Sequence, residues 1–257
     1  MYPYIKLSDL QNETFLTHHI YDNYAYNYYF TDNWSPEMYE KLAFAGFISV
    51  SINDNSGNAY LIPEIQFSYA VLHWENLHVS RRLKSFIAKK VFHDNNYYLS
   101  INKDTSAVFD GIKKYHDSEN WMTAPYINIL KSFINSKQKY KLNLISVELW
   151  HNEKLIGGEI GYLIGGIYTS LTGFFDRKNY SNFGKVQLLS LAVLLKKSNL
   201  NFWNMGHPYM NYKFDMGAIA YKRHDFLKFW MKYREENIDL SFTNKLFKCE
   251  ELLKEIV

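Results

Sequence analysis

Three sets of residues in this chain have types and spacing that could do chemistry. The first is basic: Arg81, Arg82, Lys84, Lys89 and Lys90 crowd one stretch that reads as a helix. Clustered Lys and Arg displace counterions from a nucleic-acid backbone, so the patch fits phosphate binding. The plain alternative is a solvated helix face. The second is His207, in Gly206-His207-Pro208. An imidazole titrates near neutrality and can act as a general base, unless it is a loop histidine without a role. The third is Asn204, at the end of a short apolar strand, where an amide could orient an amine or donate to an oxyanion. Tyr212 and Lys213 follow closely and could touch a nucleotide, although Lys213 also reads as an ordinary surface lysine.

The elements that must position these residues run from Leu142 to Ala218. Ile145, Val147 and Leu149 alternate as a strand that ends at Trp150, and the break His151-Asn152-Glu153-Lys154 follows. A second strand, Leu155 to Ile164, carries the double glycine Gly157-Gly158. Gly165-Gly166 predicts a two-residue hairpin, because such turns demand positive φ. Ile167 to Phe175 returns as a third strand, Lys185 to Lys197 reads as a helix, and Asn201 to Met205 as a short strand. A meander, a helix and a further strand fit an acyltransferase-like α+β sheet better than a doubly wound one. Upstream, Ser35-Pro36 starts a helix that Gly46 can end, and Phe47–Ile52 and Tyr60–Ile62 read as strands about an Asp54–Gly57 turn. The division predicted is a small N-terminal α/β domain over 1–68 and a larger domain over 69–257. Ser80, Thr105, Thr123 and Asp225 are expected helix caps, and 244–255 a C-terminal helix.

Composition narrows the classes. A net charge of +3 excludes a strongly basic coat but permits a local patch. The lone Cys249 leaves no internal disulfide, which suits a reducing cytoplasm. No secretory leader is visible at the start, and the apolar run Leu188 to Leu195 is too short to span a bilayer. No Cys-x-x-Cys, His-Glu-x-x-His, Gly-x-Ser-x-Gly or Walker pattern occurs, and His18-His19 has no third metal ligand. At the turn into the long helix, Ser181-Asn182-Phe183-Gly184-Lys185 has one glycine, with a bulky Phe where backbone should approach a pyrophosphate. Coenzyme A is thereby disfavoured. Neither a metal nor a cofactor is expected.

Several blocks together resemble the leucyl/phenylalanyl-tRNA–protein transferase family: Ser35-Pro36 through Ala45-Gly46-Phe47, Leu77-His78-Val79-Ser80-Arg81, Trp121-Met122-Thr123, Ser146-Val147-Glu148-Leu149-Trp150, Leu155-Ile156-Gly157-Gly158-x-x-Gly161, Phe175-x-Arg177, Lys185, Met216-Gly217-Ala218 and Arg223-His224-Asp225. They occur in the family's order from about Ser35 to Trp230. The resemblance implies a GNAT-like transferase domain with a mixed, mainly antiparallel sheet flanked by helices. It also implies transfer of an aminoacyl group from tRNA to a protein N-terminus, which marks that protein for degradation. Aminoacyl-tRNA and an acceptor protein or peptide would be the partners of a cytoplasmic monomer that needs no membrane. The ester is already activated, so no coenzyme A is needed.

The resemblance also assigns positions. It implies substrate contacts at Trp121 (the ring on the 3′ adenosine), Gly158, Glu159, Phe174, Lys185 and Tyr212. Grip on the tRNA falls to Arg81, Arg82, Lys84, Lys89 and Lys90. The family's carboxylates fall on Thr172 and Asn204, and its amide on Gly206, so His207 becomes the substitute base. A second family tryptophan is replaced around Val50. Glu159 stands where the family has a large apolar residue in the donor's side-chain pocket. A buried carboxylate needs a partner. Either the donor has shifted from Leu/Phe to a basic amino acid, or Glu159 turns to solvent or pairs with Lys185 or Arg177. Three other readings stay open: a transferase using aminoacyl-tRNA on a small molecule or cell-wall peptide, a non-catalytic tRNA-binding module, and, least favoured, a coenzyme A-dependent acetyltransferase.

Overall fold

A computed structural model describes residues 2–117, 121–134 and 139–257 of the chain. Its centre is a mixed sheet of eight strands, flanked by helices on both faces. The N-terminal stretch holds α1 (Leu7–Leu10), α2 (Glu13–Phe15), a π-helical turn (Leu16–Tyr21) and α3 (Pro36–Phe44). A two-stranded antiparallel ribbon follows, β1 (Ile48–Asn53) and β2 (Ala59–Glu64). The large sheet then takes in β3 (Ser68–His73), β4 (Tyr97–Ile101), β5 (Leu142–His151), β6 (Lys154–Ile164), β7 (Ile167–Phe175), β8 (Phe202–Asn204), β9 (Ile219–Lys222) and β10 (Leu246–Lys248). Their spatial order is β10-β4-β5-β6-β7-β8-β3-β9. Neighbours are antiparallel throughout except β7 and β8.

That exception follows from connectivity. Hairpins join β5 to β6 and β6 to β7, and the second turns on Gly165 at φ +51. A Cβ there would meet the Tyr233 carbonyl at 2.2 Å, so glycine is required twice over. From β7 the chain crosses through α7 (Phe183–Lys197), and a helical crossover returns the next strand parallel. Helix α7 buries Val186, Leu189, Leu191, Ala192, Val193, Leu194 and Leu195 against one sheet face. It starts at Phe183, two residues before the expected Lys185. Asn182 takes the left-handed conformation there, and the Phe183 ring turns inward against Phe86, Tyr97 and Tyr180.

The opposite face carries α5 (Thr105–His116), α6 (Ala124–Lys131), α9 (Arg223–Tyr233) and the N-terminal elements. Ile5, Leu16, Ile20, Met38, Leu42 and Phe47 share one apolar cluster with Tyr69, Val108, Tyr162 and Trp230. Residues upstream of 68 therefore pack directly on the sheet. Glu148, fully buried in β5, ties α5 to this face: it accepts from the Ser100 and Ser146 hydroxyls and from the amides of Lys103 and Asp104. Burial pushes its carboxyl up from the usual range, against those donors.

Three expected ends move. Helix α5 is capped by Asp104, whose Oδ1 accepts from Ala107 N at 2.9 Å, and Thr105 is already inside it. Helix α9 begins at Arg223, so Asp225 sits in its first turn, where a carboxylate suits the helix dipole. The expected C-terminal helix splits. Leu246–Lys248 pairs with β4 as an edge strand and leaves Leu246 half exposed, while α10 (Cys249–Leu253) keeps the rest. Three backbone pairings on an otherwise open edge decide this against a weak apolar periodicity. Ser35 and Ser80 cap α3 and α4 (Arg81–Asp94) as expected, accepting from Met38 N and Leu83 N. Thr123 holds the N-cap position of α6 without a side-chain cap bond.

The two halves are joined at Arg223, which is 0% exposed. Its Nε donates to Gln66 O at 3.1 Å, Nη2 to Ile65 O at 2.7 Å, and Nη1 to Ile20 O and Asn23 O at 3.1 and 2.5 Å. The Tyr24 and Phe67 rings lie 4.7 and 5.0 Å from the guanidinium carbon. An Arg223→Met substitution would strip four buried carbonyls of donors. We expect a stability loss of about 3–5 kcal/mol in urea unfolding; a loss below about 1 kcal/mol would mean that water replaces the guanidinium.

Candidate active site

Strands β7 and β8 pair only from Ile167↔Phe202 to Thr169↔Asn204. Beyond that point the register of β7 on β6 steps from Gly161↔Ser170 to Ile160↔Thr172, so Leu171 is the extra residue of a bulge. The β8 side stays with β3: Met205 N donates to Ala70 O at 2.9 Å and Ala70 N to Gly206 O at 2.7 Å. The strands part, and a notch opens between the half-buried stretch 170–175 and the loop after Asn204.

Asn204 floors this notch. It is 1% exposed, donates Nδ2 to Thr169 Oγ1 at 3.4 Å and accepts from Gly206 N at 3.0 Å. That second bond closes a turn through Gly206 at φ +71 and aims the next residue at the N-terminal ribbon. His207 thereby reaches Glu64 at the end of β2, with Nε2 and Oε2 at 2.7 Å. The other Glu64 oxygen accepts from Asn27 Nδ2 at 2.7 Å. The imidazole lies nearly parallel to the Tyr209 ring, centroids 4.8 Å apart. Glu64 is 5% exposed and escaped the sequence reading. The available signal was a carboxylate inside the apolar run Leu61-Ile62-Pro63-Glu64-Ile65.

A second polar cluster lies on the α7 face. Glu159 Oε1 accepts from Tyr168 Oη at 2.8 Å and Ser170 Oγ at 2.7 Å, and Ser170 in turn accepts from Trp203 Nε1 at 2.6 Å. Burial pushes the Glu159 carboxyl up, against those hydroxyls and the nearby Lys213 ammonium. The side chain neither faces solvent nor meets Lys185 or Arg177. Lys185 pairs with Asp215 at 3.5 Å, and Arg177 lies over the Tyr115 and Phe175 rings. Lys213, read above as a surface residue, is 5% exposed. It belongs to the short helix α8 (Asn211–Asp215), and its Nζ donates to Met205 O and His207 O at 2.5 and 2.6 Å. Lys213 therefore clamps the loop that carries His207. Burial lowers its ammonium to about 8, with Glu159 pulling the other way. Tyr212 beside it is pushed up by burial and by Glu159.

The remaining candidates divide. Thr172 faces α5, its Oγ1 3.2 Å from His116 Nε2, which also approaches Gly173 O at 3.3 Å. Gly158 and Phe174 pack on each other: a Cβ on Gly158 would come within 2.9 Å of the ring, and one on Gly111 of α5 within 2.3 Å. Their first duty is to seat α5. Trp121 is half-buried with its ring against Tyr126, and its carbonyl accepts from Ser51 Oγ of β1 at 2.6 Å. Arg81, Arg82, Lys89 and Lys90 are exposed and Lys84 half-buried, and none has an acidic partner among the described residues. The lead-in to α4 is bonded to α8 and the residue after it. His78 N donates to Met216 O at 2.9 Å, and His78 Nδ1 lies 3.2 Å from Asp215 O. The basic helix thus starts beside the elements that carry Tyr212 and Lys213.

Among the described residues no group of three or more His, Cys, Asp or Glu could hold a metal ion, and no helix is long and apolar enough to cross a membrane. Two clefts of about 330 and 300 Å³ open around β10, away from these candidates; Lys197 and Lys245 line one, Asn102 and Asn143 the other.

Comparison with known proteins gives a match over residues 71–230 to the family model described as leucyl/phenylalanyl-tRNA protein transferase. A leucyl/phenylalanyl-tRNA–protein transferase of Pectobacterium carotovorum is 27% identical over 114 residues, 44% of each chain. One from Shewanella piezotolerans is 26% identical over 166 residues, 64% of each chain. The matched part thus spans about half the length of these curated relatives. Among solved structures, that of L-PGS from Bacillus licheniformis is 8% identical, covering 76% of this chain and 69% of that one at a TM-score of 0.43.

The Lys213 clamp has a pH signature. Its ammonium is lowered from the usual 10.5 to about 8 in the folded chain. Between those values the unfolded chain holds the extra proton, so this group's contribution to stability rises with pH. Relative to a Lys213→Met variant, wild type should gain on the order of 2–3 kcal/mol between about pH 8 and 10.5, read by chemical denaturation. A difference that stays flat with pH would contradict the buried ammonium.

Proposed function

The chain belongs to the leucyl/phenylalanyl-tRNA protein transferase family, and on that premise we propose that it moves an aminoacyl group from the 3′ end of a tRNA to the N-terminal amine of a polypeptide, marking it for degradation. The observation that carries this reading is the basic helix α4. It has five cations without acidic partners among the described residues, and its lead-in is bonded to α8 and Met216 beside the notch. A charged tRNA gripped there by its phosphates would bring its 3′ end toward Asn204 and His207. Trp121 is the ring available to its adenine, since base–aromatic stacking contributes about 1–3 kcal/mol.

The reaction asks little of the protein. The ester is activated already, and holding amine and carbonyl together supplies much of the rate. His207 takes the proton that the attacking amine loses and returns it to the departing ribose oxygen. Asn204 is placed to orient the pair. The same reading divides the chain at 68/69, with a GNAT-like transferase part downstream. The parting of the parallel pair β7 and β8 after Thr169 supports that assignment.

For the donor, Leu or Phe is the better reading. Glu159 takes two hydroxyl donors and a balancing cation from its own chain, so no unmet negative charge awaits a basic side chain. The exposed acceptor side of the notch carries Tyr209, 80% exposed, and Met210, which suits a polypeptide as readily as a small molecule.

Transfer of labelled leucine and phenylalanine from tRNA to peptides beginning with Arg, Lys, Asp or Glu tests the reading. Leucyl- and phenylalanyl-tRNA should serve and arginyl- and lysyl-tRNA should not; no incorporation from any donor would favour a non-catalytic tRNA-binding module. Reversal of charge at Arg81 and Arg82 should weaken tRNA binding and reduce the slope of log affinity against log salt by about 0.7–0.9 per lost phosphate contact. An unchanged slope would remove α4 from the tRNA path.

A further inference from the structure

Resting on that reading, we infer that Glu64 is the positioning residue of the transfer site: it fixes His207 in the tautomer whose Nδ1 is the working base. Glu64 Oε2 lies 2.7 Å from His207 Nε2 as an ion-pair contact, and because an ionised carboxylate can only accept, that proximity favours the tautomer with its hydrogen on Nε2. A neutral imidazole then keeps its lone pair on Nδ1, for which no hydrogen-bond partner is found among the described residues. The ring is half-buried while its partner carboxylate is not accessible, 33% against 6% for the side chains. One nitrogen is thus engaged by the carboxylate, and the other is the one available to a substrate amine.

Glu64 is held from every side, which is what orienting another group demands. Asn27 Nδ2 donates to its Oε1. Tyr28, whose backbone bridges to Glu64, is a hydroxyl neighbour pushed up to about 12 by burial and by that carboxylate. The next two carbonyls, of Ile65 and Gln66, are gripped by Arg223. On the other side of the imidazole stand Tyr209, stacked on it, and Lys213, bonded to its carbonyl. Gln66 closes the back of the loop: its Nε2 lies 3.9 Å from where a Cβ on Gly206 would be. The N-terminal ribbon is by this account part of the site. It supplies from β2 the carboxylate that β8, ending in Asn204, does not.

The step balances without any added reagent. The neutral amine attacks the ester carbonyl, forming the C–N bond, and one of its protons passes to Nδ1. The imidazolium is stabilised by the Glu64 carboxylate. As the C–O bond breaks, the same proton goes from Nδ1 to the ribose oxygen, and His207 is restored.

The test uses the full chain, leucyl-tRNA and an Arg-initiated peptide. Glu64→Gln keeps the shape but weakens the orienting charge. It should lower kcat about 10²-fold, leave KM for both substrates within about twofold, and shift the acid limb of the rate–pH profile. Glu64→Asp should recover part of the loss. Equal kcat in wild type and Glu64→Gln overturns the inference. Histidine ¹⁵N NMR of wild type reads the tautomer directly and needs neither turnover nor a variant: Nε2–H supports the inference and Nδ1–H overturns it. A wild type that transfers nothing from any donor refutes the transferase reading, and the NMR result still judges the pair.

Discussion

Arg223 carries a full charge in a place no water reaches, and it is stabilised by carbonyls and ring faces rather than by a carboxylate in contact. Burying an ion costs several kcal/mol unless its hydrogen bonds are met. Four of the five N–H groups of the guanidinium find backbone oxygens, and the stacked Tyr24 and Phe67 rings supply the rest. Those oxygens belong to two segments far apart in sequence, 20–23 and 65–66. One cation at the start of α9 therefore sets where the N-terminal layer lies on the sheet. Because Ile65 and Gln66 directly follow Glu64, the same cation sets where that carboxylate stands. Its charge is what makes the device specific: an apolar residue of similar size could fill the space but could not hold the four carbonyls.

The notch beside it is a compromise between strands. A helical crossover obliges β8 to run parallel to β7, while β3 draws β8 and the loop after it into antiparallel pairing. The two demands are met together for three residues only, and the bulge at Leu171 turns β7 away. Backbone groups that lose a strand partner at this point find others: Gly206 N uses Asn204 Oδ1, and the carbonyls of Met205 and His207 use Lys213. The buried ammonium of Lys213 is tolerable because Glu159 lies near it, and Glu159 is tolerable because two hydroxyls and that ammonium face it. The two buried charges, one in β6 and one in α8, stabilise each other. This explains how a carboxylate occupies a buried strand position with partners supplied by its own chain.

Much of this architecture was legible in the residues. Gly165-Gly166 between two alternating runs announced a hairpin, and Pro36 after Ser35 announced a helix start, because local backbone chemistry decides both. The long helix after β7 was visible from its apolar density. Local signals failed where a distant strand or side chain decided. Leu246 to Lys248 has the apolar content of a helix turn, yet β4, far earlier in the chain, offers an open edge from Ser100 to Tyr98, and pairing wins. Asp104 rather than Thr105 is the cap: Glu148 accepts from the amides of Lys103 and Asp104, the Thr105 hydroxyl is engaged by Ser146, and Asp104 Oδ1 accepts from Ala107 N. Among candidate site residues, His207 and Asn204 could be named from their types, but Glu64 could not be joined to His207 without the fold. Lys213 looked like a surface lysine because nothing in the sequence reveals that two carbonyls lie over it. Phe174 and Gly158 were legible as family positions, but their packing on each other beneath α5 was not.

The central claim is that the notch between β7 and β8 receives the 3′ end of a charged tRNA, with His207 facing the ester. A crystal structure of the full chain with a non-hydrolysable amide analogue of 3′-leucyl-adenosine tests it most directly. The account predicts adenine against Trp121 and the acyl carbonyl within hydrogen-bond reach of Asn204 or of the amine site beside His207 Nδ1. An analogue seated elsewhere, with the notch unoccupied and His207 more than a water's reach from the acyl carbon, would contradict it.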